Sequence, residues 1–480
     1  MTAEAPVRRR LARSAAPAPI RIVHLGVGAF HRAHQAWYTA AVDADHQWGI
    51  AGFTGRSATV AEQLAPQGGL FTLIERSASG DTATVVDSIV EVNDGAETDR
   101  LVELLAAEPT AIVTLTITES GYRLGADGTP DLGDEQVAHD LEVLGSRIAS
   151  SGDVLAAGVH EPLRTVLGRL VLGLAARRRA GAAGLAIVPC DNVPDNGAWV
   201  ATGVRAFAAA VSRDLDEWID ANVAFVSTSV DRITPRTRDE DLETAAALTG
   251  YQDASPVVTE PFHDWILSGA FPGGRPAWEN AGARFVADIE PFERRKLWLL
   301  NGAHSLLAYH GQLRGHSTVA EAVGDPECTG AMTAFWDEAV AHLDADELRL
   351  DDYRAALLDR FGNARIEHRL EQIAMEGTAK LRVRLAPVYL AERAAGRSGA
   401  AALTGIAAWI ALLESGAEIP DAQASTVRAA LAESGPLRVE RLLQAIDDRI
   451  ADTDTAVRTQ AAVDLLKASG NRLPNVLASA

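Results

Sequence analysis

Cysteine is nearly missing from this 480-residue chain: Cys190 and Cys328 stand alone, far apart in sequence. Two distant thiols exclude a disulfide framework and a cysteine zinc site. Lysine is scarce beside arginine, and the net charge of −21 argues against general nucleic-acid binding, because phosphate backbones select basic surfaces. No apolar run has the length needed to cross a bilayer. The opening residues, MTAEAPVRRRLARSAAPAPI, carry arginines with no apolar stretch after them, so a secretory signal is not expected. A cytoplasmic location follows as the default. Residues 1–19 read as a disordered lead-in, with order beginning near Ile20.

What is present is an ordinary globular composition, 47% hydrophobic and 23% charged. A chain of this length exceeds one compact core, so two domains are expected. The first ordered stretch, IRIVHLGVGAFHRAHQAWYTAAV, places an apolar strand (20–25) before Gly26-Val27-Gly28 and a helix over 33–42. Strand, glycine turn and helix open a dinucleotide-binding βαβ unit. Gly26 suits the tight turn, and Gly28 lets the backbone approach a pyrophosphate at the helix N-terminus. His31 stands where the usual third glycine would be. Phe30 and Arg32 follow the glycines and are taken with them as cofactor-binding. After a second strand (48–53) comes Thr54-Gly55-Arg56-Ser57 in place of the acidic residue that binds ribose hydroxyls. Arg56 is a candidate for a 2′-phosphate or an ordinary solvated arginine, so NAD against NADP stays open.

Further on, GGLFTLIER and DTATVVDSIVEV read as an inserted β-hairpin, and AIVTLTITESGY (111–122) as a strand with a polar end. Residues 125–134 read as a loop, and EPLRTVLGRLVLGLAARRRAG as an amphipathic helix. A buried strand over 185–188 leads into Cys190-Asp191-Asn192, and a further strand covers 223–235. From Pro291 helical periodicity dominates, without convincing strands. The expected architecture is an α/β Rossmann-type domain over 20–290 followed by a mainly helical domain over 291–480.

The helix expected over 291–311, PFERRKLWLLNGAHSLLAYHG, carries polar residues on an otherwise apolar body. At about 100° per residue Lys296, Glu293, His304 and Asn301 fall at roughly 0°, 60°, 80° and 140° round its axis. Such a face lines either a satisfied polar network or a wet cleft, since unpartnered burial is costly. Glu293 also has the i,i+3 spacing of a simple ion pair with Lys296. His31 with His34, and His304 with His310, are close in sequence, but helical histidine pairs without a Cys/His/acid set do not make a catalytic zinc site.

HLGVGAFHRAHQA and KLWLLNGAH together, with TITESGY, PCDN, VDRITP and HRLEQIAMEGTAK in order between and after them, resemble the mannitol dehydrogenase family of polyol-specific long-chain dehydrogenases. The resemblance spans the chain from Ile20 into the C-terminal region. It implies a Rossmann domain, a helical domain, an active site in the cleft between them, and metal-independent hydride transfer between NAD(P) and a secondary alcohol of an open-chain sugar derivative. It makes Lys296 the catalytic base, Asn192 and Asn301 the amides on the substrate oxygen, and His304 a substrate-positioning residue. Glu293 corresponds to a proton relay and Asp231 to a substrate contact. Arg369, Lys380 and Arg384 lie in the segment that meets the far end of the sugar; Arg369 and Lys380 are the substrate-binding candidates.

The residue types suit that chemistry. A lysine is a base only when neutral, which burial or a nearby cation promotes, and two amide NH₂ groups stabilise an oxygen losing its proton. Mannitol to fructose is the leading expectation, mannonate to fructuronate its alternative, and QIA…G…K is closer to the uronate reductases. The partner is a small sugar alcohol or sugar acid, with no nucleic acid, no membrane and no oligomer implied. A non-catalytic nucleotide-binding regulator is the reading from another class, and an intact Lys296, Asn192, Asn301 and His304 set speaks against it.

Overall fold

The computed structural model describes residues 8–149, 161–343 and 346–469. It divides into two compact units, Met1–Ile289 and Glu290–Ala480. No helix among the described residues is long and apolar enough to cross a membrane.

The first unit is built on six parallel strands: β1 (Ile20–Leu25), β2 (Gly49–Phe53), β3 (Ile89–Asn93), β4 (Ile112–Leu115), β5 (Leu185–Pro189) and β6 (Val223–Phe225). Their order across the sheet is β3-β2-β1-β4-β5-β6, the doubly wound order whose strand sequence reverses beside β1. Ligands bind such sheets at the carboxyl ends of the strands next to that reversal. Buried on both faces, β2, β4 and β5 read as unbroken apolar runs rather than alternations.

Several expected elements take other forms. The hairpin exists, pairing Phe71–Ser77 with Gly80–Val86, but Ile89–Asn93 leaves it to become β3. Residues 111–122 divide into β4 and a helical turn, Glu119–Tyr122. The strand expected over 223–235 splits: β6 stays in the main sheet, while Ser227–Asp231 pairs antiparallel with Asp264–Ser268. The helix Val166–Ala180 is buried on nearly all sides rather than amphipathic. Its one deep charge, Arg177, is satisfied by the carbonyls of Leu105, Ala107, Thr110 and Ala183.

The lead-in also needs correction. Residues 1–7 lie outside those described, but Arg9–Arg10 pairs in parallel with Tyr251–Gln252 and Leu11 is buried. Arg13 donates to the carbonyls of Gly68, Asp87 and Ile89. A polar, arginine-rich segment is ordered here because its partners lie elsewhere in the chain.

All strands among the described residues belong to the first unit. The second is helical, and the helix Ala303–Leu313 runs through its centre, buried from Ala303 to Gly311. Ala400–Glu414, Leu370–Ala374, Pro326–Val340 and Val319–Gly324 pack round it.

Candidate active site

In the first unit the candidate cofactor site forms where β1 turns into the following helix. Gly26 has φ +103°, and a Cβ there would lie 2.2 Å from the Thr116 carbonyl oxygen, so only glycine fits. Its amide and that of Val27 both donate to Phe53 O at the end of β2. Gly28 is different. It has extended backbone (φ −139°), and a Cβ on it would meet only Gly26 O, at 3.7 Å. The protein itself does not require a glycine there, so the small residue leaves room for a ligand against the backbone.

The helix after Gly28 begins at Ala29, earlier than expected, and passes through a π segment, Arg32–Ala36, before Trp37–Val42. Phe30 is half-buried and stacks on His34 at 5.1 Å. Arg32 departs from its expected role. Its Nε donates to Gly28 O at 3.2 Å and its Nη1 to Ser255 O and Oγ, all within the interior. With its guanidinium committed to carbonyls it holds the turn rather than reaching out to a phosphate. Arg56 is exposed. The stretch 54–57 has no acid, but Thr54 N donates to Asn93 O, which brings the end of β3, Asn93-Asp94, beside it.

At the other side of the reversal, β5 leads into Asp191 and the exposed Asn192. Asp191 Oδ1 accepts Ile117 N at 2.7 Å and Oδ2 accepts the Tyr122 hydroxyl. Burial pushes the Asp191 carboxyl up to about 7, and those two hydrogen bonds oppose the shift. The buried Asn196 amide donates to Asp191 O and Thr228 O while its oxygen accepts Thr228 N. It thereby joins the Asn192 turn to the strand that ends in the half-buried Asp231.

In the second unit the candidate residues lie on one helical run that is not α-helical throughout. Glu290–Arg295 is α, Lys296–Gly302 is π, and Ala303–Leu313 is α again. The 100° step therefore misplaces Asn301 relative to Lys296. They are five residues apart, the spacing a π-helical hydrogen bond closes, which brings both to one side. Lys296, Asn301 and Glu293 are half-buried. Of the chain's three lysines, Lys296 and Lys380 both belong to the candidate set.

His304 is buried, its Nε2 has no hydrogen-bond partner, and its ring lies 4.6 Å from Phe361 and 4.8 Å from His368. Burial lowers its pKa well below the ordinary value, and the charges of His368, Arg360, Arg384 and Lys380 lower it further. It is a neutral imidazole. His368 Nδ1 and Arg384 Nε are likewise buried without partners. Arg384 Nη1 donates to Asn301 O and to Ser305 Oγ at 3.0 Å, and Lys380 Nζ donates to Ile373 O at 2.9 Å. Burial, with Arg384 nearby, lowers Lys380 to about 8 against the pull of Glu376. Arg369 is apart from this group: it is exposed and caps the helix Leu370–Ala374, with Glu367 at 4.0 Å. Neither His368 nor Asp191 has a local pattern that marks a role, because their partners, His304 for one and Ile117 and Tyr122 for the other, are distant in sequence.

One further group among the described residues brings metal-ligand types together: His316, Asp325 and Cys328. Asp325 is already saturated, accepting Arg314, His316 and the amide of Glu327 at the start of the helix Pro326–Val340. That is a charged helix cap.

Comparison with known proteins places these features. The family model described as the mannitol dehydrogenase Rossmann domain matches residues 20–280, and that of the mannitol dehydrogenase C-terminal domain matches 288–463. D-mannonate oxidoreductase of Escherichia coli is 38% identical over 403 residues, 81% of this chain and 79% of that one. Mannitol 2-dehydrogenase of Pyrenophora tritici-repentis is 37% identical over 374 residues, 75% of this chain and 63% of that one. The solved ternary complex of Pseudomonas fluorescens mannitol 2-dehydrogenase with NAD and D-mannitol superposes with a TM-score of 0.76 at 33% identity, covering 97% of this chain and 95% of that one.

Proposed function

Because the chain belongs to the mannitol dehydrogenase family of oxidoreductases, we propose that it interconverts a secondary alcohol and a ketone on an open-chain sugar acid, with NAD as the hydride acceptor. NAD, when bound, supplies the carbon that takes the hydride. The Gly26 turn, the open face of Gly28 and the helix amides that follow suit its pyrophosphate, and its use by a relative of known structure supports the assignment.

The chain's own residues manage the proton and the oxygen. In oxidation Lys296 takes the hydroxyl proton as the carbon–hydrogen bond breaks. The NH₂ groups of Asn301 and Asn192 hold the oxygen as its charge grows, and Glu293, one turn before Lys296, passes the proton to solvent. His304, fixed as a neutral imidazole, offers Nε2 to a substrate hydroxyl, and Asp231 accepts from another. A ring nitrogen left unpartnered in the interior is costly until a ligand pairs it.

The observation that favours an acid over a plain polyol is the concentration of positive charge round His304. Lys380 and Arg384 pay the cost of burial near His304, and His304, His368 and Arg384 each keep a buried nitrogen without a partner. A substrate carboxylate satisfies such a group, and a terminal hydroxyl does so less completely. D-mannonate to D-fructuronate fits this, and mannitol to fructose is the second reading. Nicotinamide reduction with mannonate, mannitol, arabinitol and sorbitol, each with NAD and NADP, tests both choices. The expected order is mannonate first, with NAD. Turnover confined to neutral polyols removes the acid reading, and tight cofactor binding without turnover on any of the four leaves a regulator.

A further inference from the structure

We propose that Asp191 is a positioning residue that holds the Asn192 amide in register with the cofactor turn, through a relay running from Gly26 across Thr116 and Ile117 to the Asp191 carboxylate. The inference rests on the reading of Asn192 as a catalytic amide.

Each link is a direct contact. Thr116 Oγ1 donates to Gly26 O at 2.8 Å, Thr116 N donates to Leu25 O, and the Thr116 carbonyl lies where a side chain on Gly26 would otherwise go. The next residue along, Ile117, donates its amide to Asp191 Oδ1 at 2.7 Å. Cys190 N donates to Leu115 O, carrying the β4–β5 ladder up to the residue before Asp191. The second carboxylate oxygen takes the hydroxyl of Tyr122, whose buried ring meets Trp199 edge-on at 5.2 Å. Two donors from the β4 side therefore bind one carboxylate on the β5 side, and Asn192 is the next residue. An asparagine that must meet a reacting oxygen gains from that restraint, because a misplacement of about 1 Å in a catalytic group costs orders of magnitude in rate.

The restraint depends on charge. A carboxylate accepts both donors with its full charge; once protonated it keeps only a neutral carbonyl for Ile117 N and must reverse the Tyr122 bond, so both contacts lose their charge assistance and weaken. The titratable groups facing it are the Tyr122 hydroxyl, the Cys190 thiol and, further along the relay, His24 on Thr116 Oγ1 at 3.0 Å. Burial keeps the phenol and the thiol protonated and His24 neutral. No neighbouring titration replaces the missing charge, so the relay is intact above a pH near 7 and slackens below it.

The test is the pH dependence of kcat for ketone reduction. In that direction the lysine must be protonated to donate, so loss of rate at low pH is not its own. The wild type is expected to lose rate as pH falls through about 7. Asp191→Asn should lower the plateau by about tenfold and abolish the acid limb, with substrate KM and cofactor affinity within about twofold. Tyr122→Phe, the milder change, removes a donor to the charged form and should move the limb to higher pH. Asp191→Asn with the wild-type limb, or Tyr122→Phe with the limb unmoved, overturns the role of Asp191. If Asp191→Asn gives no cooperative melting transition, Tyr122→Phe decides alone. A wild type that reduces no ketone removes the functional reading itself, whereas turnover with unmoved limbs removes only this inference.

Discussion

At the scale of single residues, the chain meets most of its need for positive charge with arginine and keeps three lysines. Arginine stays protonated and cannot serve as a base, which explains a lysine at 296. Lys296→Ala should lower kcat by about 10² to 10⁴ with cofactor affinity nearly unchanged. Lys296→Arg should be no better, and steady-state kinetics beside cofactor titration check both. Lys380 carries a second prediction. Its amine, lowered to about 8, is charged below that value and loses its charge as pH rises through it. KM for a sugar acid should therefore climb from about pH 7 to 9 while KM for a hexitol stays level. A flat KM for the acid would detach Lys380 from the carboxylate. Lys296, Asn301 and His304 were legible from the sequence as polar intrusions in an apolar helix. Asp191 was not, because its meaning lies in Ile117 and Tyr122, which only the adjacency of β4 and β5 brings to it.

At the scale of elements, π segments occupy the two functional stretches, Arg32–Ala36 after the glycine turn and Lys296–Gly302 at the candidate base. A π segment accommodates an extra residue in a helix and re-aims the side chains around it. The turn is as demanding. Gly26→Ala places a Cβ against Thr116 O at a φ that side chains rarely adopt and should weaken NAD binding by at least tenfold, about 1.4 kcal/mol, read by calorimetry. Strand, glycine turn and helix were legible because each has a local signature. The π segments were not, since one added residue leaves an apolar helix looking apolar.

At the scale of the whole molecule, the change from apolar strands to helical periodicity near Pro291 was visible in composition alone. The order of the six strands was not, although a strand–glycine–helix start made the doubly wound arrangement the natural expectation. Arg9–Arg10 was misjudged because its partner, Tyr251–Gln252, is more than half of the first unit away in sequence. The central claim is hydride transfer with Lys296 as the base on a sugar acid. It is tested most directly by the rate of NAD reduction with mannonate and with mannitol, for the wild type and for Lys296→Ala side by side. The account predicts turnover by the wild type, kcat/KM higher for mannonate, and loss of both activities in Lys296→Ala. Equal turnover by the wild type and Lys296→Ala would contradict it.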